Sequence, residues 1–190
     1  MTKSHLKIQK HKWTIWEQIE YEKSDKAMQK WMEENYSKLC HKVAWFDNMI
    51  SFHQAWNSIP HSKVHQVLYD VKENKLKVFK DKNGKDFQVT VMMMFLHGIA
   101  PQSEDKTNKG YFRIEIGKHR DNDTLQKVWE TLVFDCVTGN IPGLDEKDEG
   151  ITGVRFIQKM NMNTLTLNTF RVEIWTKGAD ESSAANKEIK

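Results

Sequence analysis

Apolar and polar positions alternate first in "KWTIWEQIEY", residues 12–21, a run rich in aromatic and β-branched side chains that predicts a strand. A polar stretch follows over 22–42, with Trp31 nearly alone among Lys, Glu and Gln, and reads as a long loop. In "DNMISFHQAWNSIP" the period changes. Phe52, Trp56 and Ile59 share a helical face, Asp47 is placed to cap it, and Pro60 ends it. Residues 61–96 read as strands and hairpins, with Asn83-Gly84 between two β-prone runs as the strongest turn signal. "VTVMMMF" predicts a buried strand whose three methionines fill core rather than line a pocket.

"GYFRIEIG" predicts a further strand, and "DNDTLQKVWETLVFDCVTG" the clearest helix. There Leu125, Val128, Trp129, Leu132, Val133, Cys136 and Val137 form one stripe; Asp121 or Asp123 caps its start, and Gly139 closes its end. "ITGVRFIQKM" and "TLTLNTFRVEIWTK" alternate as a last strand pair around an "NMN" turn. The order predicts an α+β fold, a largely antiparallel sheet with helices on one face. A basic arm at 1–10, a single domain over 11–176 and a polar tail at 177–190 complete the expected organisation.

Composition narrows the functional classes. With 38% hydrophobic and 29% charged residues the chain reads as soluble, and no apolar run is long enough to span a membrane. The N-terminal segment is basic without the apolar region of a secretory signal. Cys40 and Cys136 stand far apart without metal-site spacing, which fits a reducing compartment, the cytoplasm. A net charge of +3 is too small for a general nucleic-acid binder, so any nucleic-acid contact is expected to be local. Seven tryptophans exceed what one modest core needs, leaving one or two for a ligand.

Taken in order, "KWTIW", the lone Trp31, "FDNMISFHQAWNSI", "FLHGIAPQSEDKTNKGYF", "VWETL" and "GVRFIQK…FRVEIWT" resemble the translation initiation factor 4E family, whose members bind the 7-methylguanosine cap of messenger RNA. The resemblance runs from about Trp13 to Thr176. It implies a curved antiparallel sheet shaped like a cupped hand, with helices on the convex face and the cap in the concave one. In such a site two tryptophans sandwich the methylated base, a glutamate accepts hydrogen bonds from its edge, and basic side chains hold the phosphates. The chemistry is coherent: N7 methylation gives guanine a positive charge attracted to indole faces. A carboxylate suits the guanine donor pair, and guanidinium and ammonium groups neutralise phosphate.

Carried over to this chain, the resemblance gives Trp31 as the first sandwich residue, Glu104 as the base-edge carboxylate and Trp175 as the methyl contact. Lys159 and Arg171 fall at phosphate-binding positions, and Arg155, on the same strand face as Lys159, joins them. On the convex face, Met49, His53 and the helix bearing Trp129 mark the surface for a 4G-like scaffold or another 4E-binding protein. Three departures stand out. Ser103 replaces the second sandwich tryptophan, His53 replaces the partner-binding tryptophan, and the C-terminal helix and closing strand are missing or shortened. Residues 60–90 form an inserted hairpin region.

Other chemistry is thin. His61 and His65 have the spacing of half a zinc site with no second pair, and "DEKDE" at 145–149 reads as a solvated acidic loop. No phosphate loop, nucleophile elbow or kinase motif occurs, so neither an enzyme nor a cofactor is expected. Two functions follow. One is a cap-binding translation factor, and the other a 4E-like interaction scaffold with weak or no cap binding.

Overall fold

The computed structural model describes residues 12–21, 26–102, 105–117, 120–140, 150–161 and 166–178. The expected basic arm and all but the first two residues of the expected tail lie outside them, as do the "NMN" turn beyond Asn161, the acidic loop, Ser103 and Glu104.

The strands are β1 (Trp13–Tyr21), β2 (Cys40–Phe46), β3 (Phe79–Lys80), β4 (Asp86–Leu96), β5 (Gly110–Gly117), β6 (Ile151–Asn161) and β7 (Thr166–Thr176). The helices are α1 (Lys26–Glu34), α2 (Met49–Ser58), α3 (Val64–Val67) and α4 (Asn122–Thr138). All strands join one curved sheet in the order β2-β1-β4-β6-β7-β5, with β3 paired to β4. Every pairing is antiparallel.

Strand alternation sorts side chains onto two faces. One face carries Ile15, Ile19, Met92, Met94, Val154, Phe156, Phe170 and Val172, buried together with Phe52 and Trp56 of α2 and Leu125, Trp129 and Val133 of α4. The opposite face, hereafter the open face, holds a smaller apolar cluster of Cys40, Val91, Met93, Phe95, Ile157 and Trp175, with Trp16, Tyr36 and Ile99 against it. The methionine run thus fills two cores, since Met92 and Met94 point to the helices and Met93 to the open face. Gly153, between Met94–Phe95 and Trp175, lets the Phe95 ring approach β6 closely, because a Cβ there would lie 2.4 Å from two of its ring carbons.

Local sequence accounts for most boundaries. Asn48 caps α2 in a capping box with Ser51, in place of the expected Asp47. Asp121 caps α4 through the Thr124 N–H, and Gly139 ends it at φ 71°. In the Asn83-Gly84 hairpin the Asp81 carboxylate accepts from the N–H groups of Asn83 and Lys85, and Gly84 takes φ 78°.

Two expectations are corrected. Residues 26–34 form a helix instead of a loop: the segment lacks Gly, Pro and β-branched residues, buries Met32, and pairs Lys30 with Glu34 one turn on. Residues 60–69 form a Pro-initiated 3₁₀ turn and α3 instead of strands. This segment docks on α4, where Gln126 accepts from Val64 N–H and donates to the Ser62 carbonyl.

Asp70 ties the same region to α4. Its carboxylate, 5% exposed, accepts from the Asn122 side-chain amide at 2.7 Å and the Glu73 N–H at 3.1 Å, and pairs with Lys77 at 3.3 Å. Burial pushes its pKa up, but these donors and the Lys77 charge outweigh it and hold the carboxyl at about 2. A depressed pKa stabilises the fold above the unfolded carboxylate value of about 3.9 and loses that contribution as pH falls towards 2. Asp70→Asn is therefore expected to lower stability at neutral pH, the deficit narrowing between about pH 4 and pH 2. Urea midpoints across that range test it, and a pH-independent deficit would contradict it.

Candidate functional site

The open face concentrates charge and aromatic surface across β5, β7 and β6. Strand register places Tyr111 opposite Trp175, Arg113 opposite Glu173 and Glu115 opposite Arg171 on β5 and β7. On the other side of β7, Glu173 faces Arg155 and Thr169 faces Lys159. Four cations and two carboxylates so share one side of three neighbouring strands.

Arg155 is the hub. Its guanidinium donates to Glu173 at 3.2 Å, to the Gln18 side-chain amide oxygen at 3.3 Å and to the Tyr36 hydroxyl at 3.1 Å, and lies 5.7 Å from the Trp175 ring centre. Tyr36 donates in turn to Gln18 at 2.8 Å, and the Trp175 indole N–H donates to Glu173 at 3.2 Å. Burial raises the Tyr36 pKa, with Arg155 opposing, so the phenol remains a neutral donor. Glu173 is 4% exposed and shared, since Arg171 also approaches it at 3.8 Å while donating to Glu115 at 2.6 Å. These bonds hold the Arg155 guanidinium through its two terminal nitrogens, while its Nε is buried without a hydrogen-bond partner.

Lys159 differs from its neighbours. It is half-buried on the same face of β6, and no carboxylate among the described residues pairs with it. Burial lowers its pKa, Arg171 and Arg155 lower it further, and Glu173 and Glu115 only partly offset this. It is an ammonium held among like charges, a position an anion would relieve.

Of the residues expected at the site, the structure brings together Trp175, Arg155, Arg171 and Lys159. Trp175 is 4% exposed, its ring stacked on Tyr111 at 4.9 Å and edge-on to Phe95 at 6.0 Å. Trp31 projects from α1, 42% exposed, in the helix preceding the turn that carries Tyr36. Ser103 and Glu104 lie outside the described residues, but their loop is braced on both sides. Asp105 accepts from the N–H groups of Ala100 and Thr107, and Asn108 donates to the carbonyls of Ala100 and Gln102.

Sequence reasoning missed two tyrosines. Tyr36 joins the open-face cluster through Arg155 and Gln18, and Tyr111 presents an aromatic face, 38% exposed, beside Trp175. The signal for Tyr111 was its place at the start of an alternating strand just after the loop.

On the helix side, Met49 is half-buried, His53 is exposed and Ile50 is 52% exposed. Trp129, expected on the partner-binding surface, is instead fully buried: its indole N–H donates to the His61 carbonyl and its ring packs on Trp56 and Phe156. His61 is buried against Glu17 at 2.9 Å, and no group of metal-ligating side chains forms among the described residues. No helix among them is long and apolar enough to cross a membrane.

Comparison with known proteins agrees with this geometry. Similar solved structures include C. elegans eIF4E-3 in complex with the 4E-binding protein Mextli, at TM-score 0.56 and 16% identity, covering 93% of this chain and 78% of that one. Ascaris suum eIF4E-3 with an m2,2,7G cap matches at TM-score 0.59 and 16% identity, covering 94% and 77%. The same protein with an m7G cap matches at 0.58 and 17%, covering 92% and 74%. At such identity these show a shared fold. No curated protein sequence matches. The family model described as eukaryotic initiation factor 4E matches residues 9–190, and the chain belongs to that family of mRNA cap-binding translation factors.

Proposed function

We propose that this protein binds the 7-methylguanosine 5′ cap of mRNA on the open face of its sheet and acts in translation initiation or its regulation, as a cytoplasmic binding protein without catalysis. The observation that carries this reading is Lys159, which lacks a carboxylate partner among the described residues and feels the like charge of Arg171, on the face that also holds Trp175. Cap triphosphate supplies the missing negative charge there. Trp31, Tyr36 and Tyr111 supply aromatic surface for the methylated base, and Glu104 accepts from the guanine edge. The site belongs to a domain spanning 11–176.

With Ser103 in place of a second tryptophan the base is stacked on one side. Loss of one base–aromatic contact typically costs about 1–3 kcal/mol, so affinity is expected roughly ten- to hundredfold below that of a two-tryptophan relative. Retention on immobilised 7-methyl-GTP, resisted by free 7-methyl-GTP but not by GTP, tests the reading. Ser103→Trp should tighten binding of the methylated ligand without equal gain for GTP. Lys159→Ala should weaken 7-methyl-GTP by about 1–3 kcal/mol at low salt and flatten the salt dependence. Equal affinity for nucleoside and triphosphate forms would refute the phosphate assignment.

A second reading is a 4E-like interaction scaffold with weak or no cap binding. It draws on Arg155 and Arg171 already being paired with carboxylates and on Trp175 being covered by Tyr111. In either case a 4G-like scaffold or another 4E-binding protein docks on the helix side around Met49 and His53. Failure of every cap analogue to bind, with a partner still captured on that side, would select this second reading.

A further inference from the structure

The residues that the resemblance assigns to the phosphates, Arg155, Lys159 and Arg171, all stand on β6 and β7. β5 adds a cation of its own to the same face. Arg113 is directly opposite Glu173, and Glu115, two residues on, is opposite Arg171. Both carboxylates beside Arg113 among the described residues are held more closely by other cations. Arg155 reaches Glu173 at 3.2 Å, and Arg171 reaches Glu115 at 2.6 Å. Arg113 comes only to 4.0 Å of Glu115, and its side chain is 54% exposed, against 14% for Arg155 and 21% for Arg171. The two carboxylates thus serve Arg155 and Arg171, and the charges of Arg113 and Lys159 are in excess on this face.

Register sets three of these cations in line. Arg171 is two residues from Glu173, the partner of Arg113, so Arg113 and Arg171 are diagonal neighbours across β5 and β7. It is also two residues from Thr169, the partner of Lys159, so Arg171 and Lys159 are diagonal neighbours across β7 and β6. Diagonal positions on antiparallel strands lie about 7–8 Å apart, a spacing that long Arg and Lys side chains can close onto one ligand. The stacked Tyr111 and Trp175 lie two residues beyond the β5 end of this line, on the same face. We infer that Arg113 is a phosphate-binding residue, the third member of a diagonal Arg113–Arg171–Lys159 that holds the phosphate chain of the ligand. The inference takes its ligand from the cap-binding reading above. An exposed guanidinium suits a phosphate edge, and a chain of phosphates, unlike a single small anion, spans three cations in a row. The base then lies towards Tyr111 and the phosphates run from Arg113 towards Lys159.

Calorimetric titrations of the full chain with 7-methyl-GTP, GTP, the nucleoside 7-methylguanosine and inorganic triphosphate, each over a range of salt, test this. Arg113→Gln should weaken 7-methyl-GTP roughly three- to tenfold at low salt and change the nucleoside less than about twofold. It should lower the slope of log affinity against log salt by roughly one, with an unchanged urea midpoint because the residue is exposed. Arg113→Lys keeps the charge and should restore most of that slope while recovering the affinity only in part. Equal weakening of nucleoside and triphosphate by Arg113→Gln, or a salt slope equal to the parent's, overturns the inference. The cap reading survives that result if the parent still prefers 7-methyl-GTP to GTP. A parent that holds inorganic triphosphate through Arg113 but takes GTP as tightly as 7-methyl-GTP upholds the anion site and overturns the cap reading. A parent that binds none of these ligands overturns both.

Discussion

Replacing Arg155 by methionine should destabilise the protein by about 3–5 kcal/mol, although the residue sits on a face expected to bind a ligand. The reason is Glu173. Its carboxylate is buried in the sheet, and Arg155 is its closest counter-charge at 3.2 Å, with Arg171 further away at 3.8 Å. Removing one member of such a pair leaves a charge in low dielectric, and Tyr36 and Gln18 lose a shared donor as well. The pair itself need not be strongly favourable, so Arg155→Met combined with Glu173→Gln should recover a large part of the loss while keeping an acceptor for the Trp175 N–H. Urea denaturation of the two single variants and the double variant measures the coupling. Strictly additive losses would show that Arg155 and Glu173 do not depend on each other.

A comparable loss is expected at Trp129. Trp129→Ala should cost about 3–5 kcal/mol, because the ring fills the space between α2 and the sheet, 6.4 Å from Trp56 and 6.0 Å from Phe156 between ring centres. The hydrogen bond to the His61 carbonyl adds to this by fixing the turn that leads into α3. Trp129→Phe keeps most of the apolar volume and should cost less, since it forfeits chiefly that bond, about 0.5–1.5 kcal/mol, and leaves a small void. A partner peptide should still find its surface in Trp129→Phe, because the indole is beneath that surface and not on it. Thermal melts with peptide titration separate the two effects, and loss of partner binding in a stably folded Trp129→Phe variant would restore Trp129 to the contact surface.

The sequence carried β1, β4, β5, β6 and β7 well because these strands are long and alternate, but not β2, which begins inside the stretch read as a loop. β1, β4, β6 and β7 each put one apolar row against the helices, and α4 shows one uninterrupted stripe. It carried α1 poorly. Nine residues with few apolar positions look like a loop, yet helix formation there rests on backbone propensity, paired charges and one buried methionine. Residues 60–69 misled for the opposite reason: β-branched valines suggested strands, while tertiary packing on α4 turned them into a helix.

The site was visible in its strand residues and less so elsewhere. Arg155, Lys159, Arg171 and Trp175 follow from alternation once the strand pair is recognised. Their roles do not, because pairing with Glu173 across strands is a property of register. It makes Arg155 a structural hub and leaves Lys159 as the cation without a carboxylate partner among the described residues. Tyr36 was hidden by its neighbourhood. Only the fold brings the turn after α1 over the open face, where its hydroxyl meets Arg155.

The central claim is selective recognition of methylated guanine on that face. Titration of the protein with 7-methyl-GTP and with GTP, followed by tryptophan fluorescence at low salt, tests it most directly. The account predicts saturable quenching by 7-methyl-GTP at least tenfold tighter than by GTP, about 1.4 kcal/mol or more. It also predicts weaker binding as salt rises. Indistinguishable affinities for the two nucleotides, or no binding of either, would contradict it.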